Sequence, residues 1–509
     1  MGKIKNWIKA NPKEFWILFA ILILSAFLRL YKIDQYMTFL GDEGRDVIIV
    51  RRFLTELHPP LIGPGTSVGN MYLGPLYYYM MAPALLIANF SPVGPAIQIA
   101  LLGVLTVLFV WFVGRSWFGK TSGLIAAGLY AISPTVITFS RSSWNPNIMP
   151  FFALLCIWSV WKVWSSSTKA SEGQEKWLIV LGISFAFVLQ SHYLGLLLAP
   201  TLFIFWLLSL LETRHRKQDL KKFINLSLVS FFLFLALMSP LLIFDIRHGW
   251  TNFLAIKSFL VTRDAIGLPL SVYFSKVGST ALMLFTNLIA IKTIYLGISI
   301  IFLSVILLVW VLKKRLFHSP YALIFTWLTT GVLGVAYYNG PVYDHYLEFL
   351  FPIPFLIVGI IIQFIFGGKN KILKILSVFL IGYITFISFQ NNPPITDPTM
   401  QMPRTISVAK VIQEKAGNER FNLATISDLN NRDVYKYFLL IWGTKIVDTD
   451  PSSLKFTVTD QLFVVCEFPR EKCDPIHDSS VWISNFGWTK IVDEWPVWGG
   501  TLFKLGHTK

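Results

Sequence analysis

Charge is what this sequence has least of. Asp, Glu, Lys and Arg make up 14% of its 509 residues and hydrophobic residues 54%, where an ordinary soluble chain is roughly 25% charged. Repeated apolar runs of about 17 to 22 residues take the place of the missing charge, and no soluble core absorbs so many of them. A soluble globular protein is therefore excluded, and a polytopic helical membrane protein is expected. Acidic residues are the scarcer sign, 28 against 44 basic, for a formal net charge of +16. Such a sum alone suggests a nucleic-acid partner, but its distribution argues against one. Residues 391–509 hold 13 Lys/Arg and 14 Asp/Glu, which leaves 31 and 14 for residues 1–390. The basic excess thus sits in short loops between apolar runs, where it orients membrane spans.

Cysteine is rare too, at three. Cys156 falls inside an apolar run as a small core residue, whereas Cys466 and Cys473 are near enough in sequence to pair in an oxidising compartment. A signal-peptide cleavage site is also missing. Lys3, Lys5, Lys9 and Lys13 lead into an apolar run that ends Leu28-Arg29-Leu30-Tyr31, with no small-residue motif, so the run is expected to stay as a first span.

Basic clusters recur at the N-terminus, at Arg115 and Lys120, and within 162–176, 214–222, 313–315 and 369–374. Placing all of them in the cytoplasm puts spans at 15–30, 94–113, 121–140, 148–164, 177–192, 194–211, 223–243, 293–312, 320–338, 347–366 and 373–390. Two further apolar stretches, 71–90 and 272–291, would invert three basic clusters if they crossed. They are expected to lie along the outer face as juxtamembrane or re-entrant helices, the first interrupted at Gly74-Pro75 and Pro83. If they do cross, the count rises by two, so about 11 to 13 spans are expected. The fold class is mainly α: a transmembrane bundle over 1–390 and a small extracytoplasmic α/β domain over 391–509. The protein is expected in the plasma membrane, N-terminus cytoplasmic.

What is present, against this apolar background, is Gly41-Asp42-Glu43-Gly44-Arg45-Asp46. Charges this close to hydrocarbon are costly unless something needs them. Two acidic residues at a helix start complement its dipole, but a carboxylate here is also a general base for an acceptor hydroxyl or amine, with the other orienting it. Spacing does not say which is the base.

An acidic pair in the first outer loop is followed by Pro59-Pro60-Leu61, Gly74-Pro75-Leu76-Tyr77-Tyr78-Tyr79, Gly114-Arg115-Ser116-Trp117-Phe118-Gly119, Ser133-Pro134 and Ser140-Arg141. This order resembles the GT-C membrane glycosyltransferases, in particular the protein O-mannosyltransferase and lipid A aminoarabinose transferase group, over roughly residues 15–390. The resemblance implies inverting transfer of a sugar from a polyprenyl-phosphate donor to a protein, lipid or glycan acceptor, with Asp42 as base and Glu43 beside it. Many relatives carry a second Asp after the Arg, where this chain has Asn145 and Asn147.

Arg141, at a span end, is a candidate fork for the donor phosphate, though such an Arg also snorkels to the interface. Asn145 and Asn147 can hydrogen-bond a sugar. His192 with Tyr193, and His345 with Tyr346, occupy outer turns and are candidates for donor phosphate or sugar, with Arg247 secondary. Tyr77, Tyr78 and Tyr79 read as an interfacial aromatic belt. A divalent metal shared by His192, His345 and Glu43 is the one cofactor the pattern allows, and no ligand spacing requires it.

After Asn391-Asn392-Pro393-Pro394 the pattern becomes that of a soluble module: helix 405–416, strand 421–426, helix 434–442 and buried strand 462–466. It contains no phosphate loop, metal motif or triad. The alternative to a transferase is a transporter or flippase for a lipid-linked or small polar substrate. Such proteins place ionisable residues at mid-membrane on broken helices and show internal repeats, and neither pattern is present.

Overall fold

The computed structural model describes residues 2–66, 69–169, 174–214, 217–261, 268–428 and 431–508. The stretches expected to span are largely helical. Among the described residues six helices are long and apolar enough to cross a membrane: Val93–Phe118, Asn145–Ser165, Tyr193–Thr213, Gln218–Arg247, Ile294–Lys313 and Lys371–Gln390. A seventh arises if Asp344–Leu350 and Pro352–Gly367, bent by 54°, count as one span. The other expected spans depart from a simple rod. Trp177–Ser191 and Pro320–Ala336 are short apolar helices, and Lys120–Ile132 stops at Ser133 because Pro134 begins a new turn. Pro12–Leu30 carries Lys13, Glu14 and Arg29.

Small residues let these helices approach. A Cβ on Gly123 would meet Arg115 N and Trp111 O at 2.7 Å, and one on Gly359 would meet Ser122 O at 2.5 Å. Close backbone approach is the usual way membrane helices gain packing where lipid and side chain are equally apolar. The basic loops gather at one end. Arg115 Nε pairs with the buried carboxylate of Glu14 at 2.6 Å, Lys222 with Glu175 at 3.2 Å, and His318 lies 3.4 Å from Glu212.

Of the two stretches set aside from the spans, the first forms Leu76–Ile87 and the second Leu270–Phe285 followed by a π turn over Thr286–Ala290. Pro75 precedes the first helix, as expected, but Pro83 lies inside it without breaking it. Tyr77 and Tyr78 are buried rather than interfacial. Tyr77 shares a hydrogen bond with Ser143 Oγ at 2.7 Å, and Tyr78 donates to Asp46 at 2.9 Å. Their hydroxyls are used to hold loops, so the belt expectation fails for these two.

The C-terminal residues form a four-stranded sheet in the order β1-β2-β4-β3, from β1 (Asn422–Ile426), β2 (Gln461–Cys466), β3 (Thr489–Val497) and β4 (Gly500–His507). β1 and β2 are parallel and the remaining pairs antiparallel. Helices Gln401–Ala416 and Asp433–Ile441 pack on it, and Cys466 is disulfide-bonded to Cys473. The sheet and helices are fastened to the first loop of the chain. Gln401 Oε1 accepts the Phe39 N–H at 2.9 Å, Tyr36 donates to Thr396 O at 2.6 Å, and Val434 sits against Gly44.

Candidate active site

The charged loop opens the helix Gly41–Glu56, whose first turn carries Asp42 and Glu43. Their side chains diverge. Glu43 turns back to accept the Leu40 N–H at 3.0 Å and is 5% exposed, which satisfies one of the unpaired donors at a helix start. Burial, foremost, raises its carboxyl to about 7, with the neighbouring Asp42 and Asp46 adding to the shift. Asp42 remains 49% exposed. Arg45 Nη1 donates to its Oδ1 at 2.8 Å and Trp144 Nε1 to its Oδ2 at 3.1 Å. Arg45 also grips the buried Asp46 through Nε and Nη2 at 3.0 and 2.8 Å. The carboxylate of Asp42 is thus aimed by two donors while keeping lone pairs free.

Asp42 lines a cavity of about 420 Å³ together with Thr38, Ser142, Trp144, Asn147 and two residues of the C-terminal module, Asp428 and Asn431. The Thr38 N–H donates to Ser142 Oγ at 2.9 Å, joining the first loop to the one after Phe139. A second, mainly apolar cavity of about 240 Å³ is lined by His192, Tyr193, Leu197, Ile256, Phe259 and Tyr346. Rings run from one cavity to the other. The Trp144 and His345 rings lie 4.7 Å apart, those of His345 and His192 5.8 Å, and those of His192 and Tyr346 5.0 Å.

Of the residues expected at the site, the structure brings Asp42, Glu43, Asn147, His192, His345 and Tyr346 to these cavities and the rings between them. Tyr193 lines the apolar cavity, but its hydroxyl donates to Tyr72 O at 2.5 Å and accepts from Asn252. Asp245 caps the helix Thr251–Val261, accepting the N–H groups of Asn252 and Phe253 at 2.7 and 2.9 Å, as its place at that turn suggests.

Arg141 departs from expectation. It is 2% exposed, and Nη1 and Nη2 donate to the carbonyls of Leu28 and Tyr31, both at 2.6 Å. Its fork holds the end of the first apolar helix, whose last carbonyls lack intrahelical partners, and it lines neither cavity. Asn145 is likewise turned away, donating to Ser191 O at 2.6 Å. Arg247 is exposed at the end of its helix and lines neither cavity. The metal set of His192, His345 and Glu43 is not brought together as a group. Among the described residues no group of three or more His, Cys, Asp or Glu is placed to hold a metal ion.

Several residues at the site carried no sequence signal of their own. Trp144 reads as one of 18 tryptophans, and Asp428 and Asn431 come from a module with no catalytic motif. Lys276, on a helix beside the apolar cavity, donates to Tyr338 O at 2.7 Å and Gly340 O at 3.1 Å, and Tyr338 lines that cavity.

Residues 73–244 match the model of the dolichyl-phosphate-mannose-protein mannosyltransferase family, a stretch that holds Trp144 and His192 but not Asp42. No curated protein matches the sequence. Among solved structures, ArnT from Cupriavidus metallidurans bound to undecaprenyl phosphate is similar at 13% identity and a TM-score of 0.59, over 96% of this chain and 97% of that one. The apo state of that protein gives 12% identity and a TM-score of 0.58, over 97% and 98%. The archaeal oligosaccharyltransferase AglB from Archaeoglobus fulgidus, in complex with an inhibitory peptide and a dolichol-phosphate, gives 13% and 0.54, over 90% of this chain and 70% of that one. These chains share the GT-C glycosyltransferase fold with the present one.

Proposed function

We propose that the chain is a multi-pass membrane glycosyltransferase that moves a sugar from a polyprenyl-phosphate carrier to an acceptor at the outer face, with inversion and with Asp42 as general base. The observation that carries this reading is the half-exposed Asp42 carboxylate, aimed by Trp144 and Arg45 into a polar cavity. A wall of imidazole and indole rings joins that cavity to an apolar one. An isoprenoid tail suits the apolar cavity, since burying its methylenes is favourable. The sugar then projects past His345 and Trp144 toward Asp42. Matches to a dolichyl-phosphate-mannose family and to proteins solved with undecaprenyl phosphate and dolichol-phosphate support the same donor class.

The acceptor oxygen or nitrogen attacks the anomeric carbon, and its proton passes to Asp42. The bond from that carbon to the phosphate oxygen breaks, and polyprenyl phosphate leaves with the electron pair. Charge grows on the leaving phosphate, where donors already in place are worth most. His192, His345 and the Lys276 ammonium stand on that side. Glu43 takes the supporting place, since its Oε2 accepts the Leu40 N–H while it lines the same cavity as Asp42. Basic loops collected at one end of the bundle favour a cytoplasmic N-terminus, and the Cys466–Cys473 disulfide suits a C-terminal module in an oxidising compartment.

Purified protein supplied with a panel of polyprenyl-phosphate sugars should convert one of them to polyprenyl phosphate, read by mass spectrometry. A panel left intact by the wild-type protein in the presence of cell-envelope acceptors overturns the reading.

A further inference from the structure

The polar cavity is built from two separate parts of the chain, and its charge is one-sided. Asp42, Glu43 and Asp428 all lie in its lining, which contains no Lys or Arg among the described residues. The basic residue next to it, Arg45, is held by Asp42 and Asp46. The remaining polar members are hydroxyls and amides, including Thr38, Ser142, Asn147 and Asn431. Asn147 adds an independent clue. It is 8% exposed, its Nδ2 donates to Ser142 O at 2.8 Å, and its Oδ1 is buried with no hydrogen-bond partner. A buried acceptor oxygen left in this state is unfavourable until an N–H or O–H reaches it.

A phosphate, carboxylate or sulfate would meet repulsion from the carboxylates and find no free cation here. A group that donates hydrogen bonds and carries no negative charge meets neither difficulty. The C-terminal module decides much of this, since it brings Asp428 and Asn431 to the cavity from beyond β1. Asn431 is placed by the contact of its side chain with Gly41 and by its Oδ1, which accepts the Asp433 N–H at 2.8 Å.

Resting on the transferase reading above, we propose that the acceptor reaching Asp42 is a hydroxyl- or amine-bearing group without negative charge, and that Asp428 is the module's specificity-determining residue for it. Two sources offer this chemistry, a sugar hydroxyl and a peptide side chain, and one experiment separates them. Saturation-transfer NMR on the full-length protein in detergent compares glucosamine with glucuronate, and a serine peptide flanked by lysines with the same peptide flanked by aspartates. In at least one pair the amine-bearing member should bind about tenfold better than its anionic counterpart, and the pair that binds names the source. Asp428→Asn should shrink that preference severalfold, and Asp428→Lys should reverse it, in protein whose apparent Tm is unchanged. Equal binding of the anionic members, or a preference that survives both variants, overturns the proposal. Because binding is read without donor, a protein that keeps this preference yet consumes no polyprenyl-phosphate sugar would instead sink the transferase reading.

Discussion

Trp144 donates its indole N–H to Asp42 Oδ2 at 3.1 Å across 102 residues of sequence, so the loop after Phe139 sets the direction of the first-loop carboxylate. Asp42→Asn keeps an oxygen for the indole and leaves Arg45 its contacts with Asp46, so the fold should survive. Loss of the base should lower kcat by about 10²- to 10⁴-fold with donor affinity little changed. Turnover and apparent Tm measured on the same preparation check this, and wild-type turnover in that variant is the outcome that removes Asp42 from its role.

Glu43 gives a pH signature. Its carboxyl has an ordinary value of 4.5 and stands at about 7 in the folded protein, burial being the first cause. Below 4.5 both states hold the proton. Between 4.5 and 7 the folded protein keeps a proton that the unfolded chain releases, so rising pH costs stability through that window, on the order of 3 kcal/mol. Apparent Tm should therefore fall between pH 5 and pH 8. Glu43→Gln, which still offers an oxygen to the Leu40 N–H, should flatten that slope; an unchanged slope would show that other groups set it.

Arg141→Ala should act on stability rather than on donor binding. The substitution leaves the Leu28 and Tyr31 carbonyls without their buried partners, a loss of about 1 to 3 kcal/mol for each such group. Protein that remains folded should show a donor KM within about twofold of wild type. A large rise in KM with Tm unchanged would return this side chain to the phosphate.

Much of the bundle was legible because apolar runs and basic loops are direct consequences of the bilayer. The expected spans are largely helical, though 121–140 breaks at Ser133 and 347–366 is bent near Phe351, and the residues grouped at the cavities come mostly from the loops the charge pattern placed together. Less legible was the direction in which each side chain turns. Arg141 and Asn145 sit beside the site in sequence, yet the unpaired carbonyls of a helix end and of Ser191 claim them. Tyr77 and Tyr78 looked like interfacial aromatics and are instead buried ties. β3 gave no strand signal, because most of its residues are exposed and it carries Asp493, Glu494, Pro496 and an irregularity between Ile491 and Asp493. Edge strands tolerate such residues. Asp428 and Asn431 were out of reach for a different reason: only the packing of the module on the first loop makes them part of the cavity.

The native cysteines make orientation easy to test. Cys156 is buried and the other two are bonded to each other, so a membrane-impermeant maleimide has little background. Lys369→Cys lies in an exposed loop at the basic end and Trp498→Cys in the exposed turn between β3 and β4. In intact cells Trp498→Cys should label and Lys369→Cys only after permeabilisation; the opposite pattern reverses the orientation.

Gly44 tests whether the C-terminal module belongs to the site. A Cβ at this position would lie 2.6 Å from Val434 N and 2.8 Å from its Cα, and backbone at a helix start cannot move aside as a side-chain tip can. At Gly41 the obstacle is the Asn431 side-chain amide, at 2.5 Å, which a rotamer change relieves. Gly44→Ala should therefore force the Asp433–Ile441 helix away from the Gly41–Glu56 helix, widening the cavity between Asp42 and Asp428. Overpacking of this kind costs about 1 to 3 kcal/mol, and acceptor KM should rise by more than about tenfold while donor binding holds. Gly41→Ala should do less to stability, since only Asn431 must turn. If Gly44→Ala transfers sugar with wild-type acceptor KM, the close seating of the module is structural alone, and Asp42 works without the wall that Asp428 and Asn431 form opposite it.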